Sequence, residues 1–234
     1  MNVSEFNSEA RLGVNDIRLR SLLALTACYD HDQKINTMFP PIEIGSITLV
    51  DQIVLLSLAK LLKPKKIVEI GTYLGYTSAL LAMNIPDADI FTIDLPRDDV
   101  GGDFVVDDTM IFTCDKENDN YLRQKQMMDG QVYLDNLSTA ELNRVKLIKA
   151  DSTTLDFKSE FDRSQFVFID GGHSKEIITK DTKNARSVVD QGVIIWHDYG
   201  SNIHREVTSF LHSEENRKFF HVIGSLCAFE LIGF

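Results

Sequence analysis

Apolar positions along most of this chain follow two alternating rhythms. Five short runs, Lys66–Ile70 (KIVEI), Asp89–Asp94 (DIFTID), Val145–Lys149 (VKLIK), Gln165–Asp170 (QFVFID) and Gly192–His197 (GVIIWH), are too short for helices and rich in β-branched or aromatic residues. They read as buried strands. Between and around them, Gly75–Met83, Ser174–Val189 and Asn202–Ser213 read as helices. Residues 47–63 repeat apolar positions at three and four until Pro64 stops the helix. Strands alternating with helices predict βαβ units, so a mostly parallel twisted sheet with helices on both faces. Residues 219–233 hold two candidate strands about Ser225. Their spacing is too close for a parallel crossover and predicts an antiparallel C-terminal hairpin at one edge.

Two stretches fall outside this rhythm. Residues 1–45 read as a mostly helical and loop-like segment, with a helix at Ile17–Thr26 and a break at Pro40-Pro41. This segment either covers a site as a lid or pairs two subunits into a homodimer, and residues 46–234 form the main domain. Residues 95–144 interrupt that domain with an acidic cluster (Asp98, Asp99, Asp103, Asp107, Asp108) and a helix starting at Ser138. So long an insertion is a lid, a small subdomain or a solvated acidic loop.

Composition narrows the class. The chain has 234 residues, 44% of them hydrophobic and 25% charged, which fits one globular α/β domain. A net charge of −11 argues against nucleic acid as a partner. Cys28, Cys114 and Cys227 show neither a CxxC pair nor zinc spacing and read as reduced thiols. The N-terminus lacks the apolar core of a signal peptide, and no run of 18 apolar residues predicts a membrane span. A soluble, cytoplasmic protein is expected.

Ligands of parallel α/β sheets bind at the carboxyl ends of the strands, so the polar residues there are the candidates. After the first strand come Gly71 and Gly75, where a missing Cβ admits a ligand and free helix N–H groups face the site. Asp94 ends the second strand at the distance from the glycine loop where an acid takes a ribose hydroxyl pair. Asp151 and Ser152 follow the third strand, either meeting an adenine amino group or capping a helix. Asp170 and His173 follow the fourth in a D-x-x-H spacing that suits a metal ligand beside a general base. His197 and Asp198 end the fifth and add further donors. The alternative for Asp170 and Asp198 is direct hydrogen bonding to substrate. His31, His204, His212 and His221 lack such context and read as surface or packing residues.

Together these residues resemble the class I S-adenosylmethionine (SAM)-dependent methyltransferases, with a Rossmann-like fold, over residues 47–233. Glu69-x-Gly71-Thr72-Tyr73-Leu74-Gly75-Tyr76-Thr77 is similar to the glycine motif of the catechol-type O-methyltransferases, E-x-G-x-x-x-G-Y-[ST]. Ile169-Asp170-Gly171-Gly172-His173-Ser174 with His197-Asp198-Tyr199 resembles the bacterial sugar O-methyltransferases of macrolide tailoring pathways. The resemblance implies SAM as cofactor and a small-molecule or sugar hydroxyl as acceptor. It places Glu69, Gly71 and Tyr73 on the methionine side with Ser78 nearby, Asp94 at the ribose, Asp151 and Ser152 at the adenine, and His173 as base. Asp170, His197 and Asp198 match ligands of Mg²⁺ or another divalent cation. Two positions depart from the pattern. Tyr199 replaces an Asn ligand of the catechol type. His197 replaces an acidic residue of the sugar enzymes, and imidazole prefers softer ions than Mg²⁺. Two other readings fit the same sheet: an NAD-dependent oxidoreductase, disfavoured because Tyr73 stands where the pyrophosphate needs glycine, and a catalytically silent SAM-binding module.

Overall fold

The computed structural model describes residues 2–27, 34–38, 47–96 and 130–234. The acidic cluster at 98–108, Cys28, His31 and Cys114 lie outside the described residues.

Among the described residues, eight strands form one sheet: β1 (Gly13–Ile17), β2 (Lys66–Ile70), β3 (Asp89–Asp94), β4 (Val145–Lys149), β5 (Phe166–Ile169), β6 (Gly192–Trp196), β7 (Lys218–Val222) and β8 (Ala228–Ile232). Their order is β1-β7-β8-β6-β5-β2-β3-β4. Strands β4, β3, β2, β5 and β6 are parallel, and β8 runs antiparallel to both β6 and β7. The closely spaced C-terminal pair is therefore the antiparallel hairpin expected.

The N-terminal segment holds a strand where helix and loop were expected. β1 pairs in parallel with β7, outside the hairpin, and the helix α2 starts only at Leu19 (Leu19–Ala27). Asn15 fixes β1 by donating to the carbonyls of Arg11 (2.8 Å) and Phe219 (3.1 Å). Ahead of it, α1 (Val3–Glu9) stacks Phe6 on Phe220 of β7, with ring centroids 4.6 Å apart.

The strand residues alternate between two cores, as a strand's period of two requires. Ile67, Ile90, Phe166, Phe168, Val193 and Ile195 face α3 (Leu49–Leu62) and α4 (Tyr76–Asn84). Val68, Ile70, Val167, Ile169, Ile194 and Trp196 face α7 (Phe157–Phe161), α8 (Lys175–Val188) and α9 (Arg205–Ser213). α3 opens with a capping box between Thr48 and Asp51 and ends at Lys63 in the left-handed region, just before Pro64. Between β3 and β4 lie the short helices α5 (Gln131–Leu134) and α6 (Thr139–Leu142), the latter capped by Ser138 as its position predicted. No helix among the described residues is long and apolar enough to cross a membrane.

Candidate active site

The parallel strands deliver their polar ends to one rim. Each hydrogen-bond ladder runs one residue past its strand. Gly71 N–H donates to Ile93 O (2.8 Å), Ala150 to Asp94 O (2.9 Å), Asp170 to Ile70 O (2.8 Å) and His197 to Ile169 O (3.0 Å). From β2 the chain builds outward through β3 and β4, then returns to lay β5 on the other side of β2. This reversal is a topological switch point, and the crevice between β2 and β5 is where such sheets bind ligands.

The glycines at this crevice are constrained by neighbouring backbone. Gly71 has φ +101°, and a Cβ there would stand 1.9 Å from the Asp170 carbonyl oxygen. At Gly75, the N-cap of α4 with φ +82°, a Cβ would meet the Gly130 carbonyl at 2.2 Å. Their missing side chains therefore make room for the β5 end and the α5 entrance. Between them Tyr73 also adopts positive φ, 48°, which tightens the turn.

Beneath the loop, Glu69 is buried and accepts hydrogen bonds from Ser78 and, at 2.6 Å, from Thr92. Thr72 bonds Thr92 in turn (2.6 Å), so one carboxyl ties together β2, β3, α4 and the loop. Burial raises the Glu69 pKa to about 8; the two hydroxyls oppose this, and the charges of Asp170 and Asp94 add to it. Asp94 is also buried, and its Oδ1 accepts from Leu95 N–H (2.9 Å). Asp151 accepts from Thr153 N–H (2.8 Å), while the Ser152 hydroxyl donates to Asp181 Oδ1 on α8 (2.8 Å). The structure thus engages Asp151 and Ser152 in local turn and helix contacts.

Across the switch point the other candidates converge. His173 Nε2 lies 2.9 Å from Asp198 Oδ2 and 3.9 Å from Asp170 Oδ1. His197 Nδ1 is 3.2 Å from both Asp170 Oδ1 and Asp198 Oδ2. Asp198 sits at φ +61°, a conformation Asp tolerates better than most residues, which turns its carboxylate back between the two imidazoles. Burial works against its charge, but His197 and His173 hold its carboxyl well below the ordinary range. Burial likewise opposes charge on His197, yet the Asp170 and Asp198 carboxylates raise its pKa well above that of an ordinary histidine. Such a nest attracts a cation, whether a proton or a metal ion.

Two participants were not found from sequence. His204, read as surface or packing, is buried and stacks on His173, with centroids 3.7 Å apart and planes 24° apart. Asp51, on α3, reaches His197 Nε2 at 3.4 Å. Its position within a T-x-x-D capping box already accounts for an acid there, so no sequence signal marked it.

A family profile described as "Methyltransferase domain" matches residues 68–199, from β2 through the Asp198 turn. The chain belongs to this methyltransferase family. Solved structures share the class I fold. One is the O-methyltransferase TomG from Streptomyces achromogenes, involved in tomaymycin synthesis and bound to SAM, at 16% identity and TM-score 0.51 over 98% of this chain and 95% of that one. Another is an O-methyltransferase from Bacillus cereus in complex with S-adenosylhomocysteine (SAH), at 16% identity and TM-score 0.52 over 90% and 87%. A third is the SAH-bound methyltransferase PaMTH1 from Podospora anserina, at 13% identity and TM-score 0.53 over 98% and 93%. The family profile covers the glycine loop, Asp94, Asp170, His173 and His197–Asp198 of this methyltransferase, but not Asp51 or His204.

Proposed function

We propose that this methyltransferase moves the methyl group of SAM to a hydroxyl oxygen of a small molecule or sugar. The observation that carries this reading is His173, set on Asp198 at the crevice beside Asp170, across the switch point from the Glu69 loop. The donor set on the β2–β3 side suits the cofactor: Glu69 and Asp94 are acids beside a ligand with a cationic sulfonium and ammonium and a ribose diol. SAM supplies an electrophilic methyl on a neutral thioether leaving group. The crevice holds an acceptor oxygen in line with the methyl–sulfur bond, so positioning supplies much of the rate. As the oxygen–methyl bond forms and the sulfur–methyl bond breaks, His173 takes the hydroxyl proton, and Asp198 stabilises the imidazolium. Asp170, His197 and Asp198 are the residues that would hold a divalent ion, which would lower the pKa of the acceptor hydroxyl. TomG and the B. cereus protein are both named O-methyltransferases, which supports oxygen as the acceptor atom.

Thermal unfolding with SAM, SAH or NAD tests the cofactor. SAM at a hundred times its Kd is expected to stabilise the protein by about 2.7 kcal/mol. Stabilisation by NAD alone would reverse the reading.

Asp94→Ala tests the ribose contact. Loss of a charged acceptor is expected to weaken SAM binding by about 1.5–3 kcal/mol. The fold should persist, because the residue ends its strand at the rim. Unchanged affinity by calorimetry would remove Asp94 from the cofactor site.

A further inference from the structure

His197 is where this chain departs from an all-carboxylate ligand set, and the structure shows what stands behind it. Asp51 is fully buried in the first turn of α3. Its Oδ2 accepts from the Thr48 N–H (2.8 Å) and hydroxyl (2.6 Å), and its Oδ1 accepts from Leu226 N–H (2.7 Å). Held from α3 and from the turn between β7 and β8, the carboxylate presents Oδ2 to His197 Nε2 at 3.4 Å.

A carboxylate on one ring nitrogen holds the hydrogen there, so that the other nitrogen can give its lone pair to a metal ion. In His197 that other atom is Nδ1, which faces Asp170 Oδ1 and Asp198 Oδ2 at 3.2 Å each. Two carboxylates and a ring nitrogen facing one another call for a cation among them, either the Nδ1 proton of an imidazolium or a metal ion in its place. The separations are close to the edge of about 3 Å between neighbouring ligands that each stand about 2.1 Å from an octahedral ion. We propose that Asp51 makes His197 Nδ1 a metal ligand, so that Asp170, Asp198 and His197 form a two-carboxylate, one-imidazole face selecting Mn²⁺ or Co²⁺ over Mg²⁺. Mg²⁺ favours oxygen ligands, whereas imidazole adds affinity for later first-row ions. The ion's role toward an acceptor hydroxyl rests on the methyl-transfer reading; its binding is measured without cofactor.

The experiment is calorimetric titration of the full-length protein with MnCl2, CoCl2 and MgCl2 separately, with Co²⁺ absorption spectra alongside. Wild type is expected to bind Mn²⁺ and Co²⁺ about tenfold or more tighter than Mg²⁺. Asp51→Asn, which retains an acceptor for Leu226 N–H, should weaken Mn²⁺ binding by about 10–100-fold, the usual effect of losing a partner behind a ligating histidine. His197→Asp should shift preference toward Mg²⁺ and keeps the proposal testable if Asp51→Asn fails to fold. Wild type that binds none of the three ions, or Asp51→Asn with wild-type affinity, overturns the proposal. So does a cobalt–thiolate band, which would put the ion in the inner group Asp51, His197 and Cys227. SAM thermal shifts on the same preparations separate the two readings. SAM stabilisation without metal binding defeats only this inference, and metal binding without SAM stabilisation defeats only the cofactor assignment.

Discussion

His173→Ala is expected to leave SAM binding intact and to lower kcat by about 10²–10⁴, the usual contribution of a positioned general base. The motive is geometric. His173 is buried, its Nε2 lies 2.9 Å from Asp198 Oδ2, and its ring is stacked on His204. Stacking fixes the ring plane and the carboxylate fixes its rotation, so the imidazole is oriented without a substrate present. A purely structural histidine, ordering the turn before the Ser174 cap of α8, would lower stability and leave turnover per folded molecule unchanged. The pH–rate profile separates the two roles. Wild-type turnover should fall on the acid side, because a protonated imidazole cannot accept the hydroxyl proton, and the variant should lose that limb. Near-normal kcat for the alanine variant on its true acceptor would remove His173 as the base.

What could be read from the sequence follows from what is buried. Strands β5 and β6 lie inside the sheet with helices on both faces, so they are apolar runs with no other plausible assignment, and the equally central β2 departs from that pattern inside its run at Glu69. β1 gave no such signal. It lies at the sheet edge, carries Asn15 and Asp16 in its middle, and pairs with a strand some 204 positions away. Its state is decided by a partner that local pattern cannot show. The same contrast holds in the site. Asp170, His197 and Asp198 stand out as polar residues at the tips of apolar strands, where the core has no use for them. Asp51 sits in a helix start that wants an acid for its own backbone, and only the fold reveals that this acid also reaches His197. The glycines mark the middle case. Their positions were legible, but Gly71 and Gly75 are fixed by the carbonyls of Asp170 and Gly130.

Glu69→Gln is expected to flatten the pH dependence of both stability and SAM binding. The folded Glu69 carboxyl titrates near 8, against 4.5 as an ordinary glutamate, because burial disfavours its charge. Between these values the folded state holds a proton that the unfolded chain has released, so stability falls as pH rises through that window. The full cost, reached above the folded pKa and absent below the unfolded one, is on the order of 5 kcal/mol. Asp181, raised to about 7 by burial, tilts stability in the same direction, so the test is the difference between wild type and variant. Glutamine keeps an acceptor for Ser78 and Thr92 but has no proton to lose. Denaturation midpoints from pH 5 to 9 should therefore fall less steeply in the variant. Cofactor binding should show the opposite slope. On the proposed placement of SAM beside Glu69, its positive charge favours the carboxylate, so SAM affinity should rise with pH up to about 8, with proton release visible by calorimetry in buffers of different ionisation enthalpy. Glu69→Gln should bind SAM more weakly and without that release. Parallel stability curves for the two proteins would show that Glu69 is already ionised at neutral pH. Proton release that survives in the variant would assign it to a different acid.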